Sequence, residues 1–139
     1  VDTMKELLLE PTRRIFEAIH KRGVKVEFHN CGHIDRFIPY IIEELQPDMM
    51  EIQVLNDIKH IMSTYGDRVT VEYAPDPFFI NDPDITRDQL KAYAREIVDQ
   101  YGAHVVKGSG VILNINANDP DVYKTFESEA IEYSMKMYR

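Results

Sequence analysis

The chain is constrained most by a repeated alternation between strand-like and helix-like segments. Strand-like runs rich in β-branched residues occur over residues 24–29, 48–54, 68–73 and 103–107. After each run, apolar residues recur three and four positions apart, as on one face of a helix. Connections are short except over residues 74–85, so the strands should be parallel and joined by right-handed crossovers. The sequence therefore predicts an α/β fold of four βα units.

The predicted helices carry recognisable start and stop signals. Starts are marked by Pro11, Asp35, Asn56, the Thr86-to-Gln89 capping box and Asp119-Pro120. Gly23, Gly66 and Gly102 mark the ends. Pro39 is tolerable only in the first turn of its helix. These signals place a helix after each predicted strand and one before the first.

Length and charge limit the class of protein. The chain has 139 residues, a formal net charge of -8 and 44% hydrophobic residues, which suits one domain over residues 1–139. An acidic chain is a poor partner for nucleic acid or an anionic membrane, because both need clustered Lys and Arg. No apolar run reaches the length of a membrane span. We therefore expect a cytoplasmic protein with neither partner.

The strongest candidates for functional residues lie in the segment Phe28-His29-Asn30-Cys31-Gly32. His29 and Cys31 are two apart, so in extended backbone their side chains lie on one face. One imidazole and one thiolate make half of a tetrahedral zinc site, where an incoming thiol would be deprotonated. The alternative is a buried structural thiol, since Cys31 is the one cysteine of the chain. His33 reads as a first-turn or capping residue, or as a ligand or proton donor.

Several motifs together resemble the C-terminal half of the uroporphyrinogen decarboxylase superfamily. They are Phe28-His29-Asn30-Cys31-Gly32, Pro39, Tyr65-Gly66-Asp67-Arg68, Ala74-Pro75-Asp76-Pro77 and Gly108-Ser109-Gly110. The resemblance implies half of an eight-stranded (β/α) TIM barrel. The His-x-Cys motif is similar to the branch of zinc-dependent methyltransferases, which move a methyl group between a corrinoid protein and a thiol such as coenzyme M.

The resemblance also implies roles for individual residues. His29 and Cys31 match the zinc-binding motif, and Glu51 is placed like an acidic ligand, with Gln53 as the alternative. Ser109 occupies the turn where that branch has a cysteine ligand, so it is the predicted cofactor-binding position, and zinc should bind more weakly than to two thiolates. The alternative function is a metal-free decarboxylase-like fragment, non-catalytic or related to decarboxylation.

The resemblance covers a half-barrel, and the chain starts at Val1 without an initiator Met. We therefore expect a fragment that is inactive alone, and whose partners are a corrinoid protein or a small thiol. Four strands would leave two unpaired edges. The apolar residues Val26, Phe28, Met50, Ile52, Val69 and Val71 are expected to occupy both strand faces. That pattern predicts a homo-oligomer or association with a missing N-terminal half.

Overall fold

Four short strands form an all-parallel sheet in the order β1-β2-β3-β4. They are β1 (Glu27–Asn30), β2 (Met49–Ile52), β3 (Thr70–Tyr73) and β4 (Val111–Leu113). The computed structural model describes residues 2–138. Because strand order follows chain order, each connection leads to the neighbouring strand, as expected for successive βα units. The predicted α/β class with parallel strands is confirmed.

Residues 2–138 also form six helices. In chain order they are α1 (Asp2–Met4, Lys5–Leu9 and Glu10–His20 in continuous helical backbone), α2 (Ile38–Tyr40 and Ile41–Leu45, also continuous), α3 (Ile58–Tyr65), α4 (Pro77–Ile80), α5 (Arg87–Val106) and α6 (Pro120–Met137). Lys5–Leu9 and Ile41–Leu45 have π-helical hydrogen bonding. Within the described residues, no helix has the length and apolar character needed to cross a membrane.

Two of the predicted helix starts are confirmed in detail. The Thr86 hydroxyl accepts a hydrogen bond from the Gln89 backbone N–H, and Gln89 accepts one from the Thr86 N–H, which completes the capping box of α5. Asp119 caps α6, and Pro120 occupies its first turn. For α3 the cap is Asp57, which accepts from the His60 N–H, and the predicted cap Asn56 is used elsewhere.

The helices cover one face of the sheet. Side chains alternate along each strand, and the covered face carries Met50, Ile52 and Val71, each with no exposed surface, together with Tyr73 and the partly buried Phe28. Val26 and Val69 have the same parity as their neighbours on this face. The expectation that Val26, Phe28, Met50, Ile52, Val69 and Val71 are divided between both strand faces is therefore wrong, because all six belong to the covered face. The opposite face carries Glu27, His29, Glu51 and Glu72 together with the apolar Met49 and Ile112, and residues 2–138 leave it uncovered.

The predicted strand over residues 103–107 is also wrong. These residues belong to the last turns of α5, which continues through Gly102. A Cβ at Gly102 would collide with the ring of Tyr138, so this glycine permits close packing of α5 against the end of α6 and does not end the helix. The chain leaves α5 at Gly108, whose φ of +102° suits glycine, and β4 begins at Val111.

Candidate functional site

The uncovered face carries a row of polar side chains near the carboxyl ends of the strands. In the sheet register, His29 of β1 pairs with Glu51 of β2, and Glu51 pairs with Glu72 of β3. Asn114 follows β4 directly, and its backbone N–H donates to the Tyr73 carbonyl. In a parallel sheet, register neighbours lie side by side on the same face. The fold therefore brings four chain segments to one polar strip.

His29 lies between a carboxylate and the thiol. Its Nδ1 is 2.6 Å from Glu51 Oε2, and its Nε2 is 2.9 Å from Cys31 Sγ. A carboxylate can only accept, so in the neutral ring Nδ1 carries the proton and Nε2 accepts from the thiol. The His29 side chain is 49% exposed and that of Glu51 is 22% exposed. The three groups thus form a line from carboxylate to imidazole to thiol that solvent reaches.

Three carboxylates lie close together on the same strip. Glu27, Glu51 and Glu72 each place an oxygen within 4.8 Å of the others. The Asn114 amide donates to Glu72 Oε1 at 2.7 Å and to Glu51 Oε1 at 3.4 Å. Partial burial and the negative charges of Glu27 and Glu51 raise the pKa of Glu72. The three carboxylates therefore repel one another, and binding of a cation or a proton would relieve that repulsion.

The predicted metal ligands are only partly brought together as predicted. His29, Cys31 and Glu51 do meet, but Glu51 contacts the ring nitrogen opposite the one that faces Cys31. Gln53, the alternative to Glu51, lies just beyond the end of β2. His33 pairs with Asp35, at 2.9 Å between Nε2 and Oδ2. The donor atoms of His29, Cys31 and Glu51 therefore do not converge on one point.

Ser109 lies apart from these residues. It precedes β4, and its hydroxyl lies 3.5 Å from the Met62 carbonyl, beside Gly66 in the turn that precedes β3. Segments that precede parallel strands lie at the amino edge of the sheet, whereas Cys31 follows β1 at the carboxyl edge. The resemblance implied that Ser109 is a cofactor-binding position in a turn after the last strand, but Ser109 precedes β4. Ser109 is therefore not part of this site.

Glu27, Glu72 and Asn114 are the members of the strip that sequence reasoning missed. A usable signal was present, because Glu27-Phe28-His29, Glu51-Ile52 and Glu72-Tyr73 alternate polar with apolar residues. Reading that alternation strand by strand would have placed the glutamates on the face of His29. Asn114 could not be found this way, because the strand before it was assigned to other residues.

The arrangement fits part of a zinc site. Nε2 of His29 and Sγ of Cys31 face each other, and a slight separation from 2.9 Å would reach the spacing of about 3.5 Å that two ligands of a tetrahedral zinc ion require. A histidine that binds metal commonly donates its other N–H to a carboxylate, which fixes the ring. Glu51 holds that position. The donor set on this strip is thus one nitrogen and one sulfur, supported by a carboxylate.

Comparison of the chain with protein-family models, with curated proteins and with solved structures gives no match.

Proposed function

We propose that this chain carries part of a zinc site for methyl transfer to a thiol, as in the methyltransferase branch that the sequence resembles. In this proposal Nε2 of His29 and Sγ of Cys31 bind the metal. Glu51 binds Nδ1–H and holds the ring in the orientation and tautomer that leave Nε2 free. This assigns Glu51 a supporting role in place of the ligand role implied by the resemblance.

One observation carries the proposal. The single cysteine, an imidazole and a carboxylate from two adjacent strand ends lie in contact on an exposed strip, with distances of 2.9 Å and 2.6 Å. Cys31 is exposed, so the reading as a buried structural thiol finds no support. Residues at the carboxyl ends of parallel strands are the usual location of active sites in barrel and open α/β folds.

The chemistry divides between the metal and the chain. Zinc bound to His29 and Cys31 would lower the pKa of a thiol substrate and make it nucleophilic at neutral pH. The thiol sulfur would form a bond to the methyl carbon, and the donor, a methyl-corrinoid on a partner protein, would depart with the electron pair of the broken bond. Glu72, whose pKa is raised, lies beside Glu51 and would be the carboxylate that accepts the released proton, while the Asn114 amide donates hydrogen bonds to both glutamates.

We also propose that the sheet is half of an eight-stranded barrel. Three features support this: the helices cover one face, the polar strip lies on the other, and β1 and β4 are the edges of the sheet formed by residues 2–138. Two protein ligands leave a tetrahedral ion incomplete. The isolated chain should therefore be inactive, and its substrate-facing walls should come from a second chain segment or from a second copy.

A second candidate function is nucleophilic chemistry by Cys31 without metal. The line from Glu51 through His29 to Cys31 favours it, because an imidazole oriented by a carboxylate can take the thiol proton. In that case an electrophile such as an alkyl or acyl donor would react with the Cys31 sulfur directly. Zinc would then inhibit the reaction by occupying the sulfur.

The two candidates are separated by zinc stoichiometry together with thiol reactivity. Under the zinc proposal, the purified chain binds one zinc ion, binding is lost in Cys31→Ser, and chelation speeds alkylation of Cys31. Ser109→Cys is the matched control, because it adds a thiol at the opposite edge of the sheet and should leave zinc affinity unchanged. Absence of zinc binding, with fast alkylation that depends on His29, would favour the second candidate.

A further inference from the structure

The turn that carries Cys31 is held from one side by a buried amide. Asn56 is 6% exposed and lies between β2 and α3. Its Oδ1 accepts from the Ile34 backbone N–H at 2.7 Å, and its Nδ2 donates to the Gly32 carbonyl at 3.0 Å. Both partners lie in the segment just after Cys31. One side chain thus binds two backbone groups of the loop after β1.

Asn56 is itself fixed to its own loop. Its Nδ2 also donates to the Gln53 carbonyl at 3.0 Å, and its backbone N–H donates to the same carbonyl at 3.1 Å. The Asn56 side chain therefore accepts one hydrogen bond and donates two, to the loop after β1 and to the loop after β2. A nearly fully buried amide with three directed bonds costs free energy if any bond is lost, because the unpaired group cannot reach water. Asn56 therefore fixes the loop after β1 relative to β2.

We propose that Asn56 is a positioning residue for Cys31. The residue before Cys31 is set by β1, where Asn30 pairs with Ile52 and its Oδ1 accepts from the Gly32 N–H at 2.7 Å. The residues after Cys31 are set by Asn56. With both flanks fixed, Sγ is held against Nε2 of His29. The inference rests on the proposed use of Cys31 and His29 as a pair, and it adds the residue that keeps the pair together.

The test uses a change that preserves shape and reverses hydrogen bonding. In Asn56→Asp the acceptor for Ile34 remains, but the donor is replaced by an oxygen that faces the carbonyls of Gly32 and Gln53. Loss of outer partners typically lowers metal affinity by about 10- to 100-fold, and we expect a loss in that range for zinc. Asn56→Ser, which is too short to span both loops, serves as a milder variant if the aspartate prevents folding.

Asn81 offers a matched control elsewhere in the fold. Its Nδ2 donates to the carbonyls of Pro77 and Asn116, and its Oδ1 accepts from the Asn118 N–H, so it also joins two loops with two donated bonds and one accepted bond. These three hydrogen bonds of Asn81 go to residues 77, 116 and 118 and not to the loop after β1. Asn81 is only partly buried, so Asn81→Asp should cost less stability than Asn56→Asp, and zinc affinity should stay within about twofold of the parent protein.

A second readout does not require metal. Cys31 is the one thiol of the chain, so the rate of alkylation by iodoacetamide measures the reactivity of Cys31 alone. If Asn56 acts by holding Cys31 against His29, Asn56→Asp and His29→Ala should each change the rate, and the double variant should match His29→Ala. Fully additive effects, or zinc affinity lost equally in the Asn56 and Asn81 variants, would overturn the inference. Failure of the parent protein to bind zinc would instead count against the proposed function, and the alkylation cycle would still decide the role of Asn56.

Discussion

His29 and Glu51 lie directly opposite each other on neighbouring parallel strands, with 2.6 Å between Nδ1 and Oε2. Glu51 contacts the ring nitrogen that points away from Cys31, so the carboxylate orients the imidazole from the side opposite the thiol. The sheet register places Glu51 beside His29, and the orientation of the His29 ring decides whether Glu51 is a ligand or a partner of a ligand. That distinction can be tested directly.

Removal of Glu51 should weaken zinc binding without removing a ligand atom. We expect Glu51→Ala to lower zinc affinity by roughly 10-fold, and Glu51→Gln to lower it less, because the amide oxygen can still accept from Nδ1–H. Isothermal titration of zinc into each variant measures the effect. Glu72→Gln, a neighbouring carboxylate that bonds Asn114, is the control. A loss in Glu72→Gln equal to that in Glu51→Ala would show that the strip acts only through its charge.

Glu72 should destabilise the folded chain at neutral pH. Burial, with repulsion from Glu27 and Glu51, raises its pKa, so the folded state holds the proton more tightly than the unfolded state. The penalty is absent below the usual pKa of 4.5 and is fully present once pH exceeds the raised folded value. Glu72→Gln should therefore add about 0.5 to 1 kcal/mol to the free energy of unfolding at pH 7.

Urea unfolding at about pH 7 and about pH 4 checks this, since the gain from Glu72→Gln should shrink at the lower pH. Glu132→Gln, an exposed glutamate on α6, is the control and should change little. A gain of the same size at both pH values would contradict the explanation.

Asp48 should stabilise the folded chain at neutral pH, and this contribution should be lost in acid, in contrast to the effect of Glu72. Burial alone would raise its pKa, but hydrogen bonds from Lys25, the Val26 N–H and His20 lower the pKa to about 2. The contribution is fully present above the usual value of 3.8 and is lost as pH falls toward about 2. It should be on the order of 1 to 2 kcal/mol, since the side chain is only one-quarter exposed while Lys25 is well solvated.

The measurement is the difference in unfolding free energy between the parent protein and Asp48→Asn. This difference should be largest near neutral pH and should decrease through the acid range. A difference that grows on acidification would mean that the neutral carboxyl, and not the carboxylate, stabilises this contact.

Self-association through the uncovered face should depend on pH. A closed pair of sheets would bring two sets of Glu27, Glu51 and Glu72 together, and like charges in a partly buried space repel. We expect the association constant measured by sedimentation equilibrium to rise as pH falls, and to rise at pH 7 in Glu72→Gln. Tight dimers at neutral pH that are unaffected by these changes would place the contact on another surface.

The sequence was sufficient for the fold class because its signals were local. The Thr86 capping box and the Asp119-Pro120 start depend on neighbouring residues, and both are present as predicted. The end of α5 could not be predicted from neighbouring residues. Gly102 is needed because the ring of Tyr138, distant in sequence, packs against it. Treating Gly102 as a helix stop displaced the last strand and moved Ser109 to the wrong edge of the sheet.

The candidate site shows the same division. His29 and Cys31 are two residues apart, so their shared face could be predicted, and the structure places them in contact. The role of Glu51 depends on which ring nitrogen it reaches, and this follows from the pairing of β1 with β2 together with the orientation of the His29 ring. Asn56 appeared to be a helix cap, and only the folded chain shows that Asp57 caps α3 while Asn56 binds the Cys31 turn.

X-ray absorption at the zinc edge shows which atoms bind the ion. With one equivalent of zinc bound to the purified chain, we expect one sulfur at about 2.3 Å and one imidazole nitrogen at about 2.0 Å, with the remaining positions filled by light atoms from solvent. The sulfur should disappear in Cys31→Ser and remain single in Ser109→Cys. A shell of oxygen atoms alone in the parent protein would rule out zinc binding by His29 and Cys31 and would place the ion among the glutamates.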